Sequence, residues 1–575
     1  MLKNRMEDTA DGLTKDSIGE NSEYEPLLPG GLEPTLYKTI SISHASEHAK
    51  RPTDEGAAFE STSSEPKAAG VYTTLSVLLL GVFISQTDQS FVIATYGVVS
   101  SEFDDQGSGS WLMSAYMLAQ CVAQPLYGKM ADIYGRKACL QASYVLFVVG
   151  TTISGLGQTM GQVIAGRVIQ GAGGAGMVSM VSIVITDLVP LREVATLWSY
   201  TNILQTTGRS CGGFLGGLLT QTLGWRWAFL VQAPPVVIAI LLVQWRLKLP
   251  IKQTEIEHTK IEKLKRVDFV GAVFLCYTIF AACFVMDMGG QKYPWSSPMI
   301  LWIVVSGIVS AVCFIVSAQQ VKEPIFPLRL VTNYDVATNY VVTVLQIMVQ
   351  LSLMMAVPLY FQATKNANTA AAGAYLIPAF IGNTLGGLLA GYWIRRTGRY
   401  KWPTVLAPVL SVGCMLLCLL LWNGHTSDWE SLCILPGGFA TGMITSSAFV
   451  GMAAAVSGED IAVAGSGMYL CSSIGAIAGT SAGAAAYQNA LRSGLQDALG
   501  GVKGRRKILL RLLRNNTYLW HLSVDLRQRV MPAYVKSFHR VILLGLVCAA
   551  ISLALAVFTR QRNLHKKEES RQIIE

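Results

Sequence analysis

Asp88 sits inside an apolar run, ISQTDQSFVIATY, where the neighbouring sequence offers it no counter-ion. A charged side chain at that depth of a bilayer costs about 2.5–3.5 kcal/mol on insertion scales, so its presence asks for a reason. Burial favours the protonated form of a carboxyl, and an approaching cation favours the ionised form. A carboxyl so placed holds a proton in one state and releases it in another, which is the chemistry of proton exchange. Arg167, in the run AGRVIQGAGGAG, is the natural partner. Arg167, Gln170, Gly171 and Gly174 recur at i, i+3, i+4 and i+7, which places them on one helical face. Glycines on that face permit close helix approach, and a guanidinium that never deprotonates can only bias its neighbour's proton. A purely structural pairing of Asp88 and Arg167 remains an alternative.

A second constellation is Gly128-Lys-Met-Ala-Asp132-Ile-Tyr-Gly135-Arg136-Lys137. The glycines suit a tight turn, and Asp132 is placed to pair with basic groups across an interface between halves, latching one conformation. A solvated loop that only enforces topology is the other reading. Gly208, Gly212 and Gly216 form a small-x3-small stripe, repeated by Gly475, Gly479 and Gly483, and both read as packing faces. Arg209, beside the first stripe, is expected to be a buried cation with no assigned role.

These residues need hydrophobic rods to hold them. Hydrophobic residues make up 51% of the 575 and charged residues 14%, against about 25% charged in soluble domains. The apolar content comes in runs long enough to cross a bilayer as helix. Fourteen such runs are expected: 71–97, 109–129, 138–157, 160–186, 195–220, 227–247, 268–288, 299–319, 336–361, 372–396, 403–422, 431–456, 462–487 and 540–559. Basic loops at Lys129–Lys137, Arg246–Arg266, Arg395–Lys401 and after Arg560 are each four spans apart. All then lie on one face, cytoplasmic by the positive-inside rule. Gly391-x6-Gly398-Arg399 repeats the spacing Gly128-x6-Gly135-Arg136, as expected of two parallel halves around a central site.

The fold class is therefore an all-α polytopic membrane protein, two six-helix halves with two inserted spans and fourteen transmembrane helices. Its expected parts are a disordered cytoplasmic tail (1–70), an N-terminal half (71–247), a linker with the inserted pair (248–335), a C-terminal half (336–559) and a cytoplasmic tail (560–575). The second half includes a long outer loop, 488–539. The first 70 residues carry 13 acids and 7 bases, so the remainder holds the positive charge; that asymmetry suits a membrane body and not nucleic-acid binding. Ten basic residues in 492–536 run against the expected outer placement, although long loops translocate largely regardless of charge. The pattern LLRLLRNNTYLWHL there suits an amphipathic surface helix, and Asn515 heads the one N-x-[ST] sequon, a candidate glycosylation site. The 11 Cys form no C-x-x-C pair and the 7 His are scattered, so no metal and no cofactor is expected. Walker A, paired catalytic carboxylates and a Ser-His-Asp set are not recognisable, so the chain does not read as an enzyme.

The Gly128–Lys137 segment resembles the loop signature of the major facilitator superfamily. Arg167-Val-Ile-Gln170-Gly171 resembles the fourth-span motif that the superfamily associates with proton coupling. Trp225-Arg226-Trp227-Ala-Phe229 with Gln232 and Pro234 is similar to the fourteen-span drug:proton antiporter branch. That branch's fifth-span motif, Gly-Pro-x-x-Gly-Gly, stands here as Gly212-Gly213-Phe-Leu-Gly216-Gly217, without the proline. Gln124-Pro-Leu-Tyr-Gly128, Asp187-Leu-Val-Pro-Leu-Arg192 and Asn515-Asn-Thr-Tyr look most like the fungal vacuolar basic amino acid transporters. The tail's Glu23-Tyr-Glu-Pro-Leu27-Leu28 fits an acidic dileucine sorting signal.

The resemblance implies a secondary transporter exchanging protons for Lys, Arg or His at the vacuolar, lysosome-like membrane. Its partners would be a small-molecule substrate, protons, the lipid bilayer and a sorting adaptor. Proton-coupled export of drugs or secondary metabolites at the plasma membrane, and a non-transporting nutrient receptor, are the alternatives.

Overall fold

Backbone amides in hydrocarbon find no water, so an apolar run satisfies its hydrogen bonds within itself by coiling. In the computed structural model, residues 68–103, 109, 111–246, 268–289, 293–321, 323–367, 369–458, 460–500, 505–514 and 516–562 are described, and they coil in this way. The first seven helices are α1 (Ala68–Glu102), α2 (Trp111–Tyr134), α3 (Arg136–Leu156), α4 (Met160–Leu188), α5 (Leu191–Leu223), α6 (Trp225–Leu230) and α7 (Ala233–Arg246). A pair follows, α8 (Phe269–Met288) and α9 (Pro298–Gln320). Then come α10 (Leu328–Thr332), α11 (Tyr334–Lys365), α12 (Thr369–Ala374), α13 (Ile377–Thr397), α14 (Lys401–Leu421), α15 (Leu435–Ala455), α16 (Ile461–Ala498), α17 (Arg505–Arg514) and α18 (Val524–Val557).

Twelve stretches among the described residues are long and apolar enough to cross a membrane. Helices α2 and α5 have the length, 24 and 33 residues. Their apolar runs are diluted by Gln120, Gln124, Lys129 and Asp132, and by Asn202, Gln205 and Arg209. Two regions gain detail, the first of them a span that still counts among the twelve. The span at 227–247 is broken between Leu230 and Ala233, and Pro234 and Pro235 sit in the first turn of α7, where their missing N–H groups cost nothing. The stretch 488–539 is largely helix: α16 runs to Ala498, α17 follows, and α18 begins at Val524. Its Arg, Lys and Gln lower the apolar signal while being good helix formers, and Leu509, Leu512 and Leu519 turn inward beneath it.

The helices pack as one pattern used twice. In the first group α1 lies against α5, α4 and α7, while α4 takes α2 and α3 and α3 packs on α7. In the second group α11 lies against α16, α15 and α18, while α15 takes α13 and α14 and α14 packs on α18. The groups meet where α5 crosses α13 and α15, and where α2 crosses α16. The span of α4 is 83% buried, which puts it at the heart of its group. That of α9 is 22% buried, and its Trp302, Ile308 and Val309 point outward. Helix α8 connects α9 to the rest by lying on both α2 and α16.

Candidate functional site

Asp88 and Arg167 meet. Arg167 Nη1 donates to Asp88 Oδ2 at 2.6 Å, with the two side chains 1% and 0% exposed. The same nitrogen donates to Gln170 Oε1 at 2.7 Å, and Nε donates to the Leu112 carbonyl at 3.1 Å. Gln170 Nε2 in turn donates to Thr151 Oγ1 at 2.8 Å. The guanidinium lies over the Tyr116 ring at 4.4 Å and near the Phe229 ring at 5.8 Å. One Asp88 oxygen, Oδ1, is buried with no hydrogen-bond partner among the described residues. A buried acceptor left open is costly. Arg167 does not depend on Asp88 alone: a carbonyl, an amide oxygen and two ring faces hold it. Without Asp88 the cation would still be ligated.

Sequence reasoning found Asp88, Arg167 and Gln170 but not Tyr116, Thr151, Leu112 or Phe229. An aromatic or a Thr in an apolar helix, or a backbone carbonyl, carries no signal of its own. The glycines of α4 explain the close approach. A side chain at Gly171 would collide with the Tyr116 carbonyl, and one at Gly174 with Tyr116 Oη and Ser85 Oγ. The fifth-span stripe does the same against α1. Gly208 lies under the Phe83 carbonyl, Gly212 under Thr87 and Ser90, and Gly216 under the Phe91 carbonyl, so the stripe brackets Asp88. Gly217, one residue off the stripe, is half-buried. Gly475, Gly479 and Gly483 of α16 repeat the device against Val344, Met348 and Ser352 of α11.

The loop motif works at the seam between the groups. A Cβ at Gly128 would lie 2.9 Å from Val463 Cα of α16, and one at Gly391 would lie 3.0 Å from the Ala195 carbonyl of α5. Gly135 and Gly398 take φ of +91° and +65°, a region that favours glycine. Both copies of the repeat therefore pair a close crossing with a left-handed turn. Arg136 Nε donates to Asp187 Oδ2 at 2.7 Å, and its Nη2 lies 2.8 Å from Asp132 Oδ1. Asp132 thus has a partner within its own motif, four residues on. Lys129 reaches Glu323 at 3.0 Å, and Lys137 donates to the Gln244 carbonyl at 2.9 Å.

Further contacts close the same end. Ser199 Oγ donates to the Gly387 carbonyl at 2.6 Å, and Asn202 Nδ2 to Asn383 Oδ1 at 2.5 Å. Trp198 stacks on Phe449 at 3.9 Å, and Arg395 faces Glu193 at 3.3 Å. At the opposite end of α1, Glu102 accepts from the Trp225 indole and from Arg226. Those donors, the indole first, hold its carboxyl below the usual range.

Arg209 lies deep in the protein, as expected of a cation in a span, yet its side chain is open to a space and not packed in, and its Nε donates to Gln86 Oε1 at 2.6 Å. Glu23, Leu27, Leu28 and Asn515 lie outside the described residues.

Two groups of helices packed alike, with a buried ion pair in one of them, define a membrane carrier built from parallel repeats. The Major Facilitator Superfamily description matches residues 78–480, and the chain belongs to that family. It is 29% identical over 569 residues to the "Vacuolar membrane amino acid uptake transporter fnx2" of Schizosaccharomyces pombe, covering 95% of each chain. It is 28% identical over 510 residues to "Multidrug resistance protein fnx1" of the same organism, covering 88% of this chain and 95% of that one. Among solved structures the human organic anion transporter MFSD10 shares the fold, with a TM-score of 0.54 at 12% identity over 83% of this chain and 99% of that one.

Proposed function

We propose that this chain is a proton-coupled antiporter that carries basic amino acids into a vacuole-like lumen. The observation that carries the reading is the sealed Asp88 carboxylate, with one oxygen on Arg167 and the other without a partner among the described residues. Asp88 exchanges a proton for the substrate's cation, while Arg167 and Gln170 set the balance between the two. Helices α2 and α5 complete a count of fourteen spans, their polar residues facing inward. The six-span halves, 71–247 and 336–559, rock about the α5–α13 and α2–α16 seams, with 248–335 as the inserted part. Similarity to the amino acid uptake transporter across nearly the whole chain favours this cargo and membrane. So does the tail signal Glu23, Leu27 and Leu28, with a sorting adaptor as its reader; Asn515 would carry a glycan on the lumenal side.

The coupling closes energetically. A proton contributes about 1.4 kcal/mol per pH unit, so one-for-one exchange supports about tenfold accumulation per unit. With a singly charged substrate the exchange moves no net charge, and ΔpH alone drives it. The face that carries Lys129, Arg136, Lys137 and Arg395 is cytoplasmic, so the conformation described is closed toward the cytoplasm.

The test is uptake of labelled Lys and Arg by vacuolar vesicles. Uptake is expected only across an acid lumen and should vanish in Asp88→Asn; normal ΔpH-driven uptake by that variant would reject the mechanism. A second reading, export of drugs at the plasma membrane, rests on the similarity to the multidrug resistance protein. A plasma-membrane rim unaffected by alanine at Leu27 and Leu28 favours it.

A further inference from the structure

Arg209 lies deep in α5, and its surroundings say which way it faces. Trp198, Asn202, Gln205 and Arg209 recur at i, i+4, i+7 and i+11, and so share one face of the helix. The first two members of that face meet the second group: Trp198 stacks on Phe449 of α15, and Asn202 bonds to Asn383 of α13. Gln205 comes up against the Tyr469 hydroxyl of α16. The opposite face carries Tyr200, Thr207 and Leu218, all exposed, and is the side turned to lipid. Arg209 is exposed as well, but on the side turned toward the second group. The space it looks into is therefore between the groups. Gly213, one turn further on, agrees: a side chain added there would meet nothing within 4 Å.

A guanidinium needs compensation in such a place. Nε is taken by Gln86 Oε1 at 2.6 Å, an uncharged acceptor on a residue 2% exposed. That bond anchors one edge of the fork, and among the described residues no carboxylate pairs with the charge. The two terminal nitrogens of an Arg fixed at Nε match a carboxylate bidentately. Asp88, the neighbouring acid, is committed to Arg167 on the far side of the glycine-bracketed α1 contact.

We propose that Arg209, oriented by Gln86, is the subsite for a carboxylate of the transported molecule. This deepens the functional reading above and rests on it for the identity of the cargo. The substrate is taken as a zwitterion, its carboxylate on Arg209 and its amino-terminated side chain free to reach the proton-exchanging pair. A purely cationic amine lacks half of that recognition.

The experiment uses the purified full-length chain in proteoliposomes with two matched pairs: lysine against cadaverine, and rhodamine B against its ethyl ester. Wild type should take up lysine well ahead of cadaverine. Arg209→Gln should lower the apparent affinity for lysine by on the order of 10- to 100-fold, the worth of a charge-assisted contact, and change that for cadaverine by less than about twofold. Arg209→Lys, which keeps the charge without the fork, should fall between them and guards against misfolding. An Arg209→Gln protein that keeps the wild-type preference for lysine overturns the subsite and leaves the amino acid reading intact. If wild type moves no lysine but prefers rhodamine B to its ester, and Arg209→Gln erases that preference, the cargo reading falls and the subsite stands. Wild type indifferent to the carboxylate in both pairs overturns the subsite.

Discussion

Two arginines enter the membrane on adjacent helices of the same group, and their surroundings treat them in opposite ways. Arg167 on α4 is closed in, with a carboxylate, an amide, a carbonyl and two rings around it. Arg209 on α5 has one amide and an open side. Desolvation explains the contrast. A sealed cation has to be neutralised by the protein, whereas a cation facing water or cargo can leave part of its hydrogen-bonding capacity unmet. The first arrangement stores a charge pair; the second offers a charge.

The comparison can be broken most directly at the pair. Arg167→Ala strands Asp88 as an unpaired buried charge and should cost about 3–5 kcal/mol, read as a lower melting temperature in detergent. The double change Asp88→Asn with Arg167→Gln should recover most of that loss without restoring ΔpH-driven uptake. If single and double variants melt alike, the pair is not what holds these helices. Next in size, Gly212→Val drives a side chain into Thr87 and Ser90 and should cost about 1–3 kcal/mol. Gly213→Ala, one residue on but facing open space, should instead stabilise by up to about 1 kcal/mol, since it removes a glycine from a helix interior without a clash. Equal effects at the two glycines would remove the distinction between the closed and open faces of α5.

Arg209→Gln should alter the melting temperature far less than Arg167→Ala, by the equivalent of about 1 kcal/mol or less. A large destabilisation would place Arg209 among the sealed cations instead. The smallest effect is expected at Glu102. Its carboxyl is held below the usual range by Trp225 and Arg226. Its contribution is therefore present above the unfolded-state carboxyl range and is lost as pH falls through the folded-state value. The pair with Arg226 is about two-fifths exposed on each side, so the contribution is under about 1 kcal/mol. Glu102→Gln should lower stability at neutral pH by up to that amount and flatten the curve in the acid range, so that the two proteins converge as pH falls; a difference from wild type that persists undiminished in acid would contradict that assignment.

The pair was legible because its signal is strong: two charges in apolar runs, one beside glycines at helical spacing. The glycine repeats were legible for the same reason, and the left-handed φ of Gly135 and Gly398 shows what each second glycine does. Arg209 was legible only as a charge in a span. Helical spacing assigns it to a face, but which face opens depends on how two groups far apart in sequence come together. The break after Leu230 was hidden because apolar residues continue through it, and hydropathy does not register a turn. Within 488–539 the amphipathic pattern made α17 legible, whereas the extension of α16 to Ala498 and the start of α18 at Val524 were hidden, since charged residues erase the apolar signal while leaving the chain free to coil.

Helix α8 rests on α2 and α16 together. Those two rods come from different groups, so parting them cannot preserve both contacts. In the rocking cycle proposed above, the hairpin would ride with one and slip along the other, adding friction to that seam. That friction would set the pace of the proposed cycle from outside the site that holds Asp88.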